Sequence, residues 1–540
     1  VTAADKARGI DFYYESTSSS NLNTKLTFDA MNLNLNVEST GASAYGIRTY
    51  LTSSSSSGQF TTDLSFGDMN GSISVKSLTS DAYAVYAYGK SASALTIDNM
   101  SGTVIASSNG NSYSGGLYNG ATANAVLTIK SVSGLIAASS PSGIARAIDN
   151  YSGAGSGSMN GGYVDVVVQE AQYDEATGEQ ISAEVTEKQA ARMEISGTVI
   201  ANGKKGAYAI RSNTEKHLNI TGIVAAGNYS AWIKTEEDLE SFVNTLANPS
   251  SWQLTNIKSR SNGYAIADGY QQSWDSFIQT KTDDDIVIGS SALILGNIAL
   301  GGGTNSLTIS SGARIYGSIT ADSLDLTVNL DDSPENGAII TAKEAGALAA
   351  DNTTYTINIT EKSSSGRYVL ATAADLSGLE GKTFTVNYLN EVFTLTADDS
   401  FDDNPLVDIN IVDGRELELV LADSFFVYRS SLSRDLIGVD SNGVVTLAFS
   451  RGIDEASFST DMLSLTDQNG DAITITDCEI SGNELTIHYT PLTEEGVYTL
   501  TVSETIKSVE GNALNQNLIG EAGEKDDAYT RMLTADFTGP

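Results

Sequence analysis

The sequence has few cysteines and histidines, the residues on which disulfides, zinc sites and many catalytic sites depend. Its 540 residues include one cysteine, Cys478, two histidines, His217 and His488, and 6 prolines. A single cysteine excludes an internal disulfide framework, and two histidines are too few for an ordinary zinc site. The histidines also lie in different parts of the chain, so we expect both to be non-catalytic and His217 to be exposed. Cys478 is expected to be a small buried hydrophobic residue on a strand.

Positive charge and long apolar runs are also scarce. Lys and Arg total 30 against 67 Asp and Glu, which gives a net charge of −37. Nucleic acids and anionic membranes bind clustered basic residues, so neither is an expected partner. No run of about 18 apolar residues occurs, so no segment is expected to span a bilayer as a helix. The chain opens at Val1 without the basic and apolar segments typical of a signal peptide, so we expect a mature form or an excised portion of a longer protein.

The chain is rich in glycine, and it contains a repeated strand phrase. With 50 glycines, the composition is typical of short β-strands joined by tight turns. The phrase occurs as Leu-Thr-Phe-Asp-Ala-Met-Asn-Leu from Leu26, Leu-Ser-Phe-Gly-Asp-Met-Asn-Gly from Leu64, Leu-Thr-Ile-Asp-Asn-Met-Ser-Gly from Leu95 and Leu-Thr-Ile-Lys-Ser-Val-Ser-Gly from Leu127, and in shorter form from Met193 and Leu218. Spacings of 38, 31 and 32 residues between the first four copies suit one three-sided turn of a parallel β-solenoid.

The repeat also predicts which residues fill a coil and which form its corners. The expected inward residues are Leu95, Ile97, Val104, Leu127, Ile129, Leu135, Ile195, Val199, Ile220 and Val224. Glycines recur at one point of the repeat, where a corner would exclude a side chain. They are Gly71, Gly102, Gly134, Gly197 and Gly222. The run Gly301-Gly302-Gly303 lacks the continuation of a phosphate-binding loop and is expected at another corner.

Two segments interrupt the repeat. The acidic segment between Val168 and Ala191, with a turn signal at Ala176-Thr177-Gly178, predicts a hairpin that extends two coil strands outward. The second segment predicts a short amphipathic helix packed on the flank of the solenoid, with Thr235 as N-cap. Its apolar residues at helical spacing are Leu239, Phe242, Val243 and Leu246, and Asp238 is at the third position.

Shorter repeats start at Ser291 and Ser311, and alternating strands separated by turn signals follow from about Val427. These patterns predict an all-β chain. We expect a parallel β-helix with about three strands per coil at residues 1–330, terminal coils or a cap at 331–426, and an antiparallel Ig-like β-sandwich at 427–540.

Two parts of the chain resemble known families. The segment from Leu95 to Asp322 resembles the passenger regions of bacterial autotransporter-type surface proteins, through phrases such as Gly-Thr-Val-Ile-Ala from Gly102 and Gly-Asn-Ile-Ala-Leu-Gly-Gly-Gly-Thr-Asn-Ser-Leu-Thr-Ile from Gly296. This resemblance implies an exported, right-handed β-helix displayed by a Gram-negative cell.

The segment from Val427 to Pro540 resembles the bacterial Ig-like domain of adhesins and surface-layer proteins. The phrases that carry the resemblance are Val-Thr-Leu-Ala-Phe-Ser-Arg-Gly-Ile-Asp from Val445, Val-Tyr-Thr-Leu-Thr-Val-Ser from Val497 and Val-Glu-Gly-Asn-Ala-Leu from Val509. The final Phe-Thr-Gly-Pro resembles a linker into a following copy.

Clustered carboxylates are candidates for catalysis or calcium binding. The runs Asp283-Asp284-Asp285, and Asp398-Asp399 with Asp402-Asp403, lie in turn-like sequence, so we expect solvated loops rather than the paired acids of a glycosidase. The segment Asp467-Gln468-Asn469-Gly470-Asp471 alternates polar residues but lacks the distal Glu of an EF-hand. A hairpin turn is the favoured interpretation, calcium is a weak alternative, and no other cofactor is expected.

Recurring aromatic residues are the candidate binding surface: Tyr86, Tyr88, Tyr113, Tyr118, Tyr208 and Trp232. Strand alternation predicts Tyr86 and Tyr88 on one face and Tyr83 on the other. Inward rings would fill the solenoid, which is the favoured interpretation, whereas outward rings would contact a sugar or protein partner.

The sequence therefore predicts a non-enzymatic, extracellular bacterial cell-surface protein, an adhesin or a display component. Its partner would be a glycan or protein on another cell, or like chains that pair at an open coil edge. The segment Asp11-Phe-Tyr-Tyr-Glu would cap the first coil or serve as an assembly strand. The alternatives are a polysaccharide-active β-helix lyase or hydrolase, and a subunit of an extracellular filament or surface layer.

Overall fold

The computed structural model describes the chain except residues 18, 20, 55–57, 170–171, 174–179, 183–184, 274–275, 279, 332–336, 361–362, 364–365, 389–390, 398–406, 422–424, 432–442, 517–521 and 536–540. The carboxylate run from Asp398 to Asp403, the turn at Ala176-Thr177-Gly178 and the terminal Phe-Thr-Gly-Pro lie outside the described residues. As predicted, the described part is mainly β-strand, with three long sheets of mostly parallel strands followed by antiparallel strands.

The three long sheets form the walls of a parallel β-helix. The first wall consists, in spatial order, of Thr2–Ala3, Asn34–Ser39, Ser72–Ser77, Thr103–Ser108, Leu135–Ser140, Thr198–Gly203, Ile223–Gly227, Leu293–Leu295, Arg314–Tyr316, Ile340–Thr341, Gly366–Thr372, Glu416–Leu421 and Val407–Val412. The second wall consists of Ala7–Ser16, Ala44–Ser53, Ala82–Gly89, Tyr113–Ala121, Ile144–Ser152, Gly206–Ser212, Tyr264–Asp268, Asn297–Gly301 and Ile319–Ala321. The third wall consists of Leu22–Met31, Phe60–Met69, Ala92–Met100, Asn124–Val132, Ser156–Asn160, Met193–Ile195, Glu215–Ile220, Asp285–Ile288, Asn305–Ser310, Leu324–Leu330, Thr353–Ile359, Thr383–Tyr388 and Glu391–Thr396.

The repeat phrase sets the register of the third wall. Leu26 pairs with Leu64, Leu64 with Leu95, and Leu95 with Leu127. Each copy therefore lies on the next, and the coil of three strands is confirmed. The later coils are shorter, because Ile286 pairs with Leu307 and Leu307 with Leu326.

One continuous apolar core runs between the three walls. It contains all of the predicted inward residues except Leu135. Leu135 is in register with Thr103 and Thr198 and contacts a separate cluster outside the coil, while Ile136 is buried in the core. The expectation for Leu135 was wrong because Gly134-Leu135-Ile136 aligns with Gly-Thr-Val in the neighbouring coils. Leu135 therefore takes the outward position of the threonine, and Ile136 takes the inward position of the valine.

The recurring glycines form the corner between the third and first walls, as predicted. A Cβ atom on Gly102 would lie 2.0 Å from the carbonyl oxygen of Gly71, and one on Gly134 would lie 2.0 Å from that of Gly102. Gly197 and Gly222 repeat the arrangement at 2.2 and 2.1 Å. Each coil therefore approaches the previous one too closely for any side chain.

Two helices cover part of the outer face of the first wall. Helix α1, Glu236–Ala247, has the predicted N-cap Thr235, which forms a capping box with Asp238. Its Leu239, Phe242 and Leu246 are buried against an apolar outer column of the wall that includes Ile105 and Ile200. Helix α2, Ser251–Lys258, was not predicted. Neither helix is long and apolar enough to cross a membrane, and no other α-helix occurs among the described residues.

The acidic interruption is an antiparallel hairpin, as predicted, but it begins earlier than expected. Tyr163–Gln169 pairs with Val185–Ala190, and Gln172–Tyr173 pairs with Gln180–Ser182. A smaller hairpin, Tyr270–Ser273 with Ser276–Ile278, follows the second-wall strand Tyr264–Asp268.

The last coils end in antiparallel pairs. Thr383–Tyr388 pairs with Glu391–Thr396, and Glu416–Leu421 pairs with both Gly366–Thr372 and Val407–Val412. Parallel pairing thus continues past residue 330, and short 3-10 helices occur at Gly346–Ala349 and Ser377–Leu379.

A β-sandwich follows, built from two antiparallel sheets around a second core. One sheet contains Val427–Ser430, Val444–Phe449, Glu484–Tyr489 and Ile475–Ser481. The other contains Leu463–Thr466, Gly496–Val502 and Tyr529–Ala535, and 3-10 helices occur at Thr460–Met462 and Lys525–Asp527.

Candidate functional site

The outer surface of the second wall has three columns of aromatic and charged side chains, which we call the tyrosine face. Strand pairing defines the first column as Arg8, Tyr45, Tyr83, Gly115, Arg146, Tyr208 and Tyr264. The second column is Asp11, Arg48, Tyr86, Tyr118, Asp149 and Arg211. The third is Tyr13, Tyr50, Tyr88, Gly120 and Tyr151.

A break in strand alternation puts all three columns on the same side of the wall. Ala84 and Val85 are consecutive, yet both are buried in the interior core. Tyr83 before them and Tyr86 after them therefore both face outward, with ring centroids 5.0 Å apart. The expectation that Tyr83 and Tyr86 lie on opposite faces was wrong, because the two consecutive inward residues Ala84 and Val85 interrupt strict alternation.

The tyrosine rings lie on one another along the axis of the β-helix. In the third column, the Tyr50 ring stacks on Tyr13 with centroids 5.3 Å apart and on Tyr88 at 5.2 Å. In the second column, Tyr86 and Tyr118 stack at 4.6 Å. Ring faces are therefore turned toward neighbouring rings, and the side chains of Tyr50, Tyr86, Tyr88 and Tyr118 are half-buried rather than fully exposed.

Two glycines in the columns make room for these rings. A Cβ atom on Gly115 would lie 2.5 Å from the Tyr83 ring, and one on Gly120 would lie 2.4 Å from the Tyr118 hydroxyl oxygen. The Tyr83 ring thus lies over Gly115, and the Tyr118 ring lies over Gly120. Burial raises the pKa values of the Tyr83, Tyr86 and Tyr118 hydroxyls well above the usual range, so these groups keep their protons and can donate hydrogen bonds.

Arg48 joins the first coils of the face. Its Nε and Nη2 donate to the two carboxylate oxygens of Asp11 at 2.7 and 3.1 Å. Its guanidinium carbon also lies 4.6 Å from the ring centroid of Tyr45 and 4.8 Å from that of Tyr13. This arrangement combines a bidentate ion pair with cation–π contacts, so Arg48 holds the Tyr13 and Tyr45 rings in position.

A second ion pair lies further along the second column. Arg211 Nε and Nη2 donate to the two oxygens of Asp149 at 2.8 and 2.7 Å, and both side chains are buried. Arg146 contacts the same carboxylate at 3.4 Å and lies 4.6 Å from the ring centroid of Tyr113. Burial and then the neighbouring Arg146 charge lower the pKa of Arg211.

The structure brings most of the predicted aromatic residues together. Tyr86, Tyr88 and Tyr118 lie on the tyrosine face and are half-buried, and the half-buried Tyr113 lies next to the face, in contact with Arg146. Tyr208 belongs to the first column but is only 5% exposed, and it stacks on Tyr264 at 5.5 Å. Trp232 is elsewhere, packed against Phe242 of helix α1 with centroids 6.0 Å apart. These tyrosines are absent from the interior core, so the favoured expectation that they fill the solenoid was wrong.

Sequence reasoning did not identify the charged members of the face. Arg48, Arg146, Arg211, Asp11 and Asp149 occupy the same columns as the tyrosines. The available signal was their constant offset from the tyrosine segment: Arg48 follows Tyr45 by three residues, as Arg211 follows Tyr208. An isolated charge in a half-buried strand gave no indication of its partner in the next coil.

Other predicted positions have local structural partners. His217 is half-buried rather than exposed, with Nε2 at 2.6 Å from Glu215 Oε1 and Nδ1 at 3.7 Å from Asp285 Oδ2. Asp284 is buried rather than solvated. Cys478 is half-buried against the sandwich core.

The two loop predictions hold for the described residues. Asp467 accepts backbone hydrogen bonds from Asn469 and Asp471 at 2.8 Å each, as expected for a hairpin turn. Gly302 and Gly303 join a second-wall strand to a third-wall strand, as expected for a corner. Within the described ranges, no three His, Cys, Asp or Glu side chains are grouped so as to hold a metal ion.

Comparison with known proteins identifies one part of the chain. Residues 427–519 match the family model of the bacterial Ig-like domain, which overlaps most of the β-sandwich and confirms the resemblance described for that segment. No curated protein and no solved structure gives a significant match. The bacterial Ig-like domain is consistent with a bacterial surface protein.

Proposed function

We propose that this chain is a non-enzymatic adhesin of the bacterial cell surface, and that the tyrosine face binds a protein on another cell. The observation that carries the proposal is the continuous outward set of tyrosine and arginine side chains over the second wall. Tyrosine and arginine are enriched in the parts of protein interfaces that contribute most to affinity. The Ig-like segment supports a surface location, and display by a Gram-negative cell stays a prediction.

The stacking of the rings favours a protein over a glycan as partner. Sugars stack on the exposed face of an aromatic ring. Both faces of the Tyr50 ring are covered, by Tyr13 on one side and Tyr88 on the other. The surface therefore offers ring edges and hydroxyl groups, which suit hydrogen bonding and close packing against a polypeptide.

The neighbouring carboxylates Asp268 and Asp284 do not favour the alternative of a polysaccharide-active enzyme. Asp268 and Asp284 both contact Lys216, but their side chains are fully buried and out of reach of a polysaccharide. Glycoside hydrolysis needs two carboxylates that flank a bound sugar. Inactivity on a panel of polysaccharides is the expected result.

A binding assay with treated cells tests the proposal. Beads coated with the full chain are added to epithelial and bacterial cells that are untreated, protease-treated or periodate-treated. We expect binding to be lost after protease and kept after periodate. The double variant Tyr50→Ala/Tyr88→Ala should weaken binding by about tenfold or more, as for residues at the centre of an interface.

Two control variants separate binding from folding. Tyr50→Phe/Tyr88→Phe keeps the stacked rings and removes only the hydroxyl groups, so its affinity reports their contribution. Lys25→Ala changes a side chain that is 71% exposed on the third wall, and it should bind as the original chain does. Binding that survives protease but not periodate, or that ignores the tyrosine substitutions, would contradict a protein partner at this face.

Self-assembly and a filament or surface layer are the remaining alternatives. The strand Ala7–Ser16 contains the predicted assembly segment and ends the second wall, with Phe12, Tyr13 and Tyr14 between 40 and 47% exposed. Sedimentation that depends on chain concentration would favour these alternatives, and a monomer at all concentrations would exclude them.

A further inference from the structure

A lysine interrupts the apolar interior of the β-helix. On the third wall, Leu95 pairs with Leu127, Leu127 with Met159, and Met159 with Lys216 in the next coil. The Lys216 side chain has no exposed surface. A buried ammonium group is unstable without compensating partners, so the groups around Lys216 decide its state.

Two aspartates that are distant in the chain contact the Lys216 amine. Its Nζ lies 2.8 Å from Asp284 Oδ2 and 3.4 Å from Asp268 Oδ1, and both carboxyl side chains are completely buried. Asp284 occupies the next rung of the same column, because the adjacent residues His217 and Asp285 are paired. Asp268 is the last residue of the second-wall strand Tyr264–Asp268.

Asp284 is held in place against Lys216 by its own neighbours. The backbone N–H of Lys216 donates to Asp284 Oδ1 at 3.0 Å, and the Thr282 hydroxyl donates to the same oxygen at 3.3 Å. The backbone N–H of Asp284 donates to Asn305 Oδ1 at 3.3 Å. One carboxylate oxygen is thus fixed by hydrogen bonds, and the other faces the amine.

Asp268, like Asp284, has one carboxylate oxygen held by a hydrogen bond and one buried oxygen without a hydrogen-bond partner among the described residues. The Thr280 hydroxyl donates to its Oδ1 at 2.5 Å. Its Oδ2 accepts no hydrogen bond from the described residues, although it is buried. A Cβ atom on Gly301 would lie 2.4 Å from this oxygen, so the glycine leaves the space that Oδ2 occupies.

The charges of the cluster favour a proton on a carboxyl group. One ammonium and two carboxylates would leave a buried net negative charge, which is unfavourable without solvent. Burial raises the pKa of Asp268 to about 6 and also raises that of Asp284. With one carboxyl protonated, the other is a carboxylate base within reach of the Lys216 nitrogen, at 2.8 Å for Asp284 and 3.4 Å for Asp268.

We propose that Lys216 and Asp284 condense to form an intramolecular isopeptide bond, with Asp268 as the proton-transfer group. The Nζ lone pair attacks Cγ of Asp284, and the Nζ–Cγ bond forms. Asp268 accepts a proton from the amine and donates one to the departing hydroxyl. The Cγ–O bond breaks and one water molecule leaves, so the step needs neither an oxidant nor an external reactant.

The bond would join two consecutive coils across an insertion. Lys216 and Asp284 are 68 residues apart, and the intervening segment contains helices α1 and α2. The cross-link would keep the coils together when the insertion is pulled or cleaved, which suits a protein that carries load at a cell surface.

The intact mass of the denatured full chain tests the proposal directly. We expect a mass lower than that of the sequence by one water molecule. Trypsin cannot cleave after an acylated Lys216, so the digest should contain a branched peptide in which residues 212–234 are joined to residues 282–314. This branched peptide also distinguishes the cross-link from loss of water at an isolated aspartate.

Three variants test the assigned roles, and one serves as control. Lys216→Met and Asp284→Ala should each restore the full mass expected for their sequences. Asp268→Asn should leave the Lys216 amine and the Asp284 carboxyl in place but prevent the proton transfer. Most chains of this variant should therefore have the full mass, without the cross-link. Lys130→Met is the control, because Lys130 lies 2.5 Å from Asp98 in an exposed pair, and this variant should still lack one water.

Three results would overturn the inference. A full-length mass for the original chain, without the branched peptide, would mean that Lys216 is only an ion-pair partner. A cross-link from Lys216 to the peptide of residues 261–281 would make Asp268 the acceptor instead. Complete cross-linking in Asp268→Asn would remove Asp268 from the reaction. Because the first measurement uses the original chain, it does not depend on whether any variant folds.

Discussion

Replacing Arg211 by Met should destabilise the β-helix by about 3 kcal/mol, because it leaves the Asp149 carboxylate buried without its main counter-charge. The side chains of Arg211 and Asp149 are 4% and 1% exposed and share two hydrogen bonds. Removing one member of such a pair typically costs about 3–5 kcal/mol. The remaining contact between Arg146 and Asp149 at 3.4 Å places the expected loss at the lower end of that range.

The reverse substitution should cost more. Asp149→Leu leaves Arg211 and Arg146 close together with no anion between them, so we expect a loss of about 5 kcal/mol. In the double variant Arg211→Met/Asp149→Leu, two apolar side chains replace the buried pair. Its loss should be at least about 2 kcal/mol smaller than the sum of the two single losses, because the two positions are in direct contact.

Urea unfolding followed by circular dichroism measures these losses, with hydrogen exchange to locate them in the coils around Asp149. Lys130→Met is the reference, because its exposed pair with Asp98 should contribute about 0–1 kcal/mol. The buried pair should also be insensitive to salt, which screens exposed charges far more than buried ones. A loss for Arg211→Met that is as small as that for Lys130→Met, or that disappears in high salt, would refute this reasoning.

Two further predictions concern the corner glycines and His217. Gly134→Ala should cost about 3 kcal/mol in urea unfolding, because its Cβ would lie 2.0 Å from the Gly102 carbonyl oxygen and the backbone must shift. Contacts with Asp285 and Glu215 raise the pKa of His217 against the opposing effect of partial burial. The stabilisation from His217 should therefore be complete below its unfolded pKa of about 6.5 and lost as pH rises through the folded value. In an NMR titration of the two imidazoles, Asp285→Asn should lower the pKa of His217.

Each of these two predictions has its own control. Ser133→Ala alters the exposed residue before Gly134 and should leave the unfolding midpoint nearly unchanged. An equally small effect for Gly134→Ala would mean that the corner tolerates a side chain. The variant His217→Gln assigns the imidazole signal, and a titration that does not respond to Asp285→Asn would contradict the assigned cause of the pKa shift.

The sequence was most informative where one feature recurs in every coil. The Leu-x-apolar phrase predicted the pairing of Leu64, Leu95 and Leu127, because parallel in-register strands place equivalent residues side by side. Gly102 and Gly134 predicted a corner for the same reason. Helix α1 was predictable from local chemistry alone, since a capping box and an apolar stripe need no distant partner.

The sequence was least informative where contacts join separate coils or where alternation fails. The consecutive inward residues Ala84 and Val85 place Tyr83 outward, and nothing in the alternating pattern marks that interruption. Leu135 faces outward because it is in register with Thr103 and Thr198, and there it contacts the apolar outer cluster that the helices cover. Such a residue is apolar like those of the interior core, but it packs on the outer face of the wall.

By itself, the sequence determined the all-β class, the coil of three strands, the corner glycines and the Ig-like segment, because these depend on residues that recur or lie close together in the chain. Only the tertiary structure decided the composition of the tyrosine face and the contacts of Lys216. Arg48 meets Asp11, and Lys216 meets Asp268 and Asp284, only after the residues between them in the chain have folded into coils. Burial and charge compensation depend on all the neighbours of a group in space, and most of those neighbours are distant in the chain.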